Sequence, residues 1–259
     1  MDNWVKLSNW EEGAQDGSIL KVEIHHAGRL NAMSCAMWDQ LQSVFRTIAG
    51  QEGVRCVVVQ GSGGNFCAGG DISEYPAFRF EKNALAHFHE SRVWGGLQSM
   101  LDCPVPVIAA IEGACMGAGV EIAACCDLRL AKHDSKFGAP IAKLGFPMAP
   151  KELALVGKAV GNTLAKRMLL EAAVLSSEDM LRCGFLGQVF DEAAFVQAVQ
   201  DTARKVAQLS PQAARLNKST MRALESMKPE EIPDPYAYAD SREHREGIDA
   251  FLQKRRAVF

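Results

Sequence analysis

The chain has 259 residues, 48% of them hydrophobic and 23% charged, with a formal net charge of −3. That is enough apolar material for one sizeable core, which excludes a disordered chain. No basic stripe, zinc-finger or RNP-like pattern points to nucleic acid, and no apolar run reaches the length of a membrane span.

The opening segment, Met1 to Lys6, lacks the apolar core of a signal peptide, so a cytoplasmic protein is expected. Leu20, Val22 and Ile24 alternate with Lys21, Glu23 and His25, the pattern of a half-buried strand. Ser34 is placed to cap a helix running to Gly50, with Met37, Leu41, Val44, Phe45 and Ile48 on one face. Val54 to Gln60 is a continuous apolar run, as for a strand covered on both faces. A first glycine-rich turn follows, Gly61 to Asp71. Residues 74–101 read as loosely patterned helix. Val105 to Ile111 reads as a strand leading into a second glycine-rich turn, Gly113 to Glu121. A short apolar helix at 121–126, a strand at 127–131 and a loop-like stretch at 137–150 come next. From about residue 151 the pattern is helical. Ser176 to Asp179 marks a helix start, and further helices are expected at about 192–209, 211–227 and 241–256.

Small residues in a turn let backbone N–H groups approach a ligand closely. Two such turns meeting in space could aim two donors at one oxygen, an oxyanion hole, which implies chemistry on a carbonyl. The eight cysteines sit mostly in apolar or small-residue runs and read as buried thiols. Cys125 and Cys126 are adjacent, which is not a zinc spacing, and no metal site is expected.

These features together resemble the crotonase superfamily, the enoyl-CoA hydratase/isomerase family. The strongest pieces are Phe66-Cys67-Ala68-Gly69-Gly70-Asp71-Ile72, Pro106 to Gly113, and Gly117-Ala118-Gly119-Val120-Glu121 followed by Cys126-Asp127. Supporting pieces are Gly28-Arg29-Leu30-Asn31-Ala32-Met33 and the tail from Arg245 to Arg255. The resemblance implies an α/β fold, a spiral of repeated ββα units over residues 1–200. A helical C-terminal region over 201–259 would serve oligomerisation and cover CoA. It also implies an acyl-CoA thioester substrate, no cofactor beyond that coenzyme A, and assembly as a homotrimer or homohexamer.

By the same resemblance, Gly70 and Ala118 supply the N–H groups for the thioester oxygen and Glu121 is the acid/base residue. Arg29, Leu30, Ala68, Asp71 and Ile72 match the CoA-binding turn and loop. Phe251 and Lys254 match a C-terminal pair that in relatives reaches a neighbouring subunit's CoA. Two further carboxylate stations of the family fall on Ile141 and Ala149, which transfer no protons. Both are expected to line the acyl pocket, with Phe88 and Trp94, while Phe78 and Phe80 add to a possible aromatic wall. His87, His89, Glu90, Lys151, Glu152, Tyr236 and Tyr238 read first as surface or packing groups and second as substitute acid/base groups. Hydration of a 2-enoyl-CoA, with Glu121 as acid/base, is the leading expectation. Double-bond isomerisation, decarboxylation and a catalytically inactive CoA-binding protein are the alternatives, because the second station is Ile141.

Overall fold

The computed structural model describes residues 2–10, 18–225, 234 and 236–259. The first half of the chain alternates strand and helix. In chain order it comprises β1 (Asn3–Asn9), β2 (Ile19–His26), α1 (Cys35–Ala49) and β3 (Cys56–Gly61), then a 3-10 turn at Ile72–Ala77. Next come α2 (Lys82–His87), a π-helical turn at Phe88–Val93 and α3 (Trp94–Leu101). β4 (Val107–Ile111), β5 (Ala114–Met116), α4 (Ala118–Ala124), β6 (Leu128–Lys132) and β7 (Lys136–Gly138) follow. A second 3-10 turn, Ile141–Leu144, precedes α5 (Pro150–Leu170), β8 (Val174–Ser176), α6 (Ser177–Arg182) and β9 (Gln188–Phe190). The chain continues in α7 (Glu192–Ala207), α8 (Pro211–Glu225) and α9 (Arg242–Leu252).

Six strands form one sheet in the order β1-β2-β3-β4-β6-β9, parallel except for the antiparallel edge strand β1. Three short strands form a second sheet, β5-β7-β8. From β4 to β7 successive strands alternate between the sheets, so β4-β5-α4 and β6-β7-α5 are two turns of a ββα spiral.

The apolar run of β3 is covered on both faces. Val57 and Val59 enter the main core with Met37, Trp38, Leu41 and Phe45 of α1. Cys56 and Val58 face the other way, against Phe195, Val199 and Ala203 of α7. Period-two alternation sorts one strand's side chains into two cores. α7 runs unbroken across residue 200, the expected boundary of the helical region, and packs on the sheet. Ser34 caps α1 by accepting from the Met37 N–H, and Gly50 ends the helix. The stretch 137–150 is not all loop. It holds β7 and the Ile141–Leu144 turn, because β7 borrows its order from β5 and β8 on either side. Among the described residues no helix is long and apolar enough to cross a membrane.

Candidate active site

The two glycine-rich turns lie side by side. Cys67 N–H donates to Ala114 O and Met116 N–H to Cys67 O, each at 2.8 Å, a parallel bridge between the turns. A second bridge pairs Met33 with Gly70. Gly69 and Gly117 take positive φ values of 117° and 48°, which a side chain rarely adopts. These kinks turn the chain so that Gly70 and Ala118 line one cavity. Neither of their N–H groups donates a hydrogen bond within the described residues. Ala118 opens α4, so its N–H is one of the donors that a helix leaves without an intrahelical partner.

Glu121, one turn further along α4, lines the same cavity. Burial pushes its carboxyl up to about 8, and the nearby charge of Glu152 pushes in the same direction. Glu152 is the finding that the sequence reading underweighted. It stands in the first turn of α5, 2% exposed, and lines the cavity with Glu121. His89, from the π-helical turn, also lines it, with Nδ1 3.1 Å from Glu152 Oε1. Of the expected surface or packing roles, the structure leaves neither group at the open surface: two carboxylates and an imidazole line this cavity. The cysteines beneath the turns supply no thiolate, since burial holds Cys67 at about 12 and Cys115 well above its ordinary value.

Ile141, Ala149 and Phe88, expected at the acyl pocket, line the cavity, as do Ala68 and Ile72, which the resemblance assigned to CoA. Trp94 does not: its ring lies under the Lys151 ammonium, 5.6 Å away, outside the lining. Phe78 stands behind Phe88, with ring centroids 4.4 Å apart, and Phe80 is exposed. Arg29 and Leu30 are exposed on a loop at the cavity's edge, where Leu30 O accepts from the Ala68 N–H at 2.9 Å. Asp71 is buried away from the lining and accepts from the Ser73 N–H and hydroxyl, capping the Ile72–Ala77 turn. Phe251 and Lys254 are exposed and outside the cavity. So are Tyr236 and Tyr238, while Lys151 and Glu90 pair with each other at the surface.

Sequence reasoning missed Tyr75 and Arg79. The Tyr75 hydroxyl sits against Gly70, where even a methyl side chain would collide with it. Burial raises this phenol to about 12, so it stays protonated at neutral pH. The Arg79 guanidinium lies 4.6 Å from the Tyr75 ring centroid and 3.5 Å from that of Phe146. The available signal was a lone arginine between Phe78 and Phe80 in an otherwise aromatic stretch.

Comparison with known proteins gives the chain relatives over nearly its whole length. The family model described as enoyl-CoA hydratase/isomerase matches residues 14–259. The 2,3-dehydroadipyl-CoA hydratase of Escherichia coli strain K12 is 28% identical over 248 residues, covering 93% of this chain and 94% of its own. A probable enoyl-CoA hydratase of Bacillus subtilis strain 168 is 30% identical over 254 residues, covering 95% and 96%. The crystal structure of an enoyl-CoA hydratase/carnithine racemase from Magnetospirillum magneticum superposes with a TM-score of 0.90 at 32% identity, over 93% of this chain and 92% of that one. With paired turns, a buried glutamate and a whole-length match in agreement, the chain belongs to the enoyl-CoA hydratase/isomerase family of the crotonase superfamily.

Proposed function

We propose that the protein is an enoyl-CoA hydratase that adds water syn across the double bond of a 2-enoyl-CoA. The observation that carries this reading is the pair Glu121 and Glu152 in one cavity, which supplies the second carboxylate that Ile141 cannot. The Gly70 and Ala118 N–H groups hold the thioester oxygen and stabilise the enolate as charge builds on it. Glu121, held protonated by burial, delivers a proton to Cα. Glu152 takes a proton from the attacking water as its oxygen bonds to Cβ, and His89 orients that carboxylate. The π bond breaks, one C–O and one C–H bond form, and the proton gained by Glu152 balances the one lost by Glu121. Coenzyme A enters as part of the substrate. Ala68 and the Arg29-Leu30 loop border its path, and assembly as a trimer or hexamer would bring Phe251 and Lys254 to a neighbour's CoA.

The test is loss of the conjugated-enoyl absorbance of crotonyl-CoA. Glu121→Gln and Glu152→Gln should each lower kcat by about 10²–10⁴-fold. Wild-type rates in Glu152→Gln would sink the two-carboxylate route. Double-bond isomerisation is the second reading, favoured by the apolar Ile141 beside Glu121, because it needs one base shuttling a proton between two carbons.

A further inference from the structure

Arg79 is the one arginine or lysine lining this cavity, and among the described residues no carboxylate pairs with it. Its Nη1 is the single buried side-chain polar atom without a hydrogen-bond partner among the described residues. No carboxylate forms an ion pair with it there, since the two acids of the cavity engage each other and His89. Its neighbours are aromatic faces, Tyr75 and Phe146, which hold the guanidinium plane but satisfy none of its N–H donors. A buried donor left unpaired is destabilising, the more so when it is charged. In a cavity that otherwise admits an acyl chain, such a donor is a place for an anion.

We propose that Arg79 selects acyl-CoA substrates whose acyl chain ends in a carboxylate. The proposal rests on the acyl-CoA reading above and adds the class of acyl group. The contacts that link Gly70, Tyr75 and Arg79 limit the guanidinium to within about 11 Å of the Gly70 backbone. With a hydrogen-bond length taken at each end, that upper limit suits an acyl chain of no more than about six carbons, the thioester and carboxylate carbons included. The guanidinium's fork fits a carboxylate with two parallel hydrogen bonds, and the rings behind it fix the plane of the fork.

The test uses saturated ligands, so that it does not depend on turnover. Glutaryl-CoA and its uncharged isostere 5-methylhexanoyl-CoA are titrated calorimetrically into wild type, Arg79→Met and Arg79→Lys, with free CoA as a control. Wild type should prefer glutaryl-CoA by at least 10-fold. Arg79→Met should reduce that preference by about 10- to 100-fold, and Arg79→Lys, which keeps the charge but loses the fork, by less. A wild type that binds both acyl-CoAs equally overturns the proposal, and this needs no variant to fold. A preference unchanged in Arg79→Met also overturns it. So does an equal loss of both ligands and free CoA, which would assign the guanidinium to the nucleotide. Hydration is scored separately, by turnover of glutaconyl-CoA against 5-methylhex-2-enoyl-CoA. If neither is hydrated while glutaryl-CoA still binds selectively, the hydratase reading fails and the carboxylate selectivity stands.

Discussion

A carboxyl group at about 8 is neutral at physiological pH, and at Glu121 the cause is chiefly loss of water, then the charge of Glu152. If protonated Glu121 is the acid, kcat/KM holds below pH 8 and falls as pH rises through it. Replacing Glu152 by Gln removes one negative charge but leaves the burial. The alkaline limb of the residual activity should therefore move to lower pH, and pH–rate profiles of the two proteins measure this. A limb that stays in place would show that the two carboxylates do not interact. Glu121 was legible in the sequence because a glycine turn and an apolar helix announce it on both sides. Glu152 was not, because its neighbours Lys151 and Leu153 are exposed and nothing local marks the one inward-facing position on a helix start. Only the tertiary approach of α5 to α4 brings it beside its partner.

The same contrast holds for elements. Long strands and capped helices follow from their own residues: β2 alternates cleanly and α1 begins at Ser34. The three-residue strands β5, β7 and β8 are too short to carry a period, and their pairing comes from outside. The π-helical turn at Phe88–Val93 is similar, since no residue in it forbids ordinary helix, yet it brings Phe88 and His89 to the cavity together. Where α4 crosses the first glycine turn, the fit is close enough to test. A side chain at Gly119 would meet Cys67 O at 2.5 Å and its Cβ at 3.2 Å. Gly119→Ala should therefore cost about 1–3 kcal/mol in denaturant unfolding, by prising α4 from the turn beside it. It should also depress turnover, because Ala118 and Glu121 ride on α4. An alanine variant of native stability would show that the two segments separate freely.

At the scale of the molecule, the alternation of strand and helix was readable from the patterns and the ββα repeat only from the family resemblance, whereas the order of strands in the two sheets rests on pairings distant in sequence. The C-terminal helices leave Met221, Leu224, Ile248, Phe251 and Leu252 exposed. The proposed trimer or hexamer would bury apolar surface of this kind. Sedimentation should give a trimer or hexamer, and Phe251→Asp should shift it toward smaller species; a monomeric wild type would remove this expectation. The division of labour around the cavity has a longer consequence. Tyr75, Arg79 and Phe88 all come from residues 72–93, whereas Gly70 precedes that stretch and Ala118 and both glutamates come from later elements. His89 on Glu152 is the hydrogen bond that ties the two sets across the cavity. Under the reading proposed above, mutations in that stretch, His89 apart, would change which thioester is admitted while leaving both glutamates in place. A duplicated copy of such a chain can thus diverge toward new acyl groups by altering some twenty residues, keeping its inherited chemistry as a fixed frame.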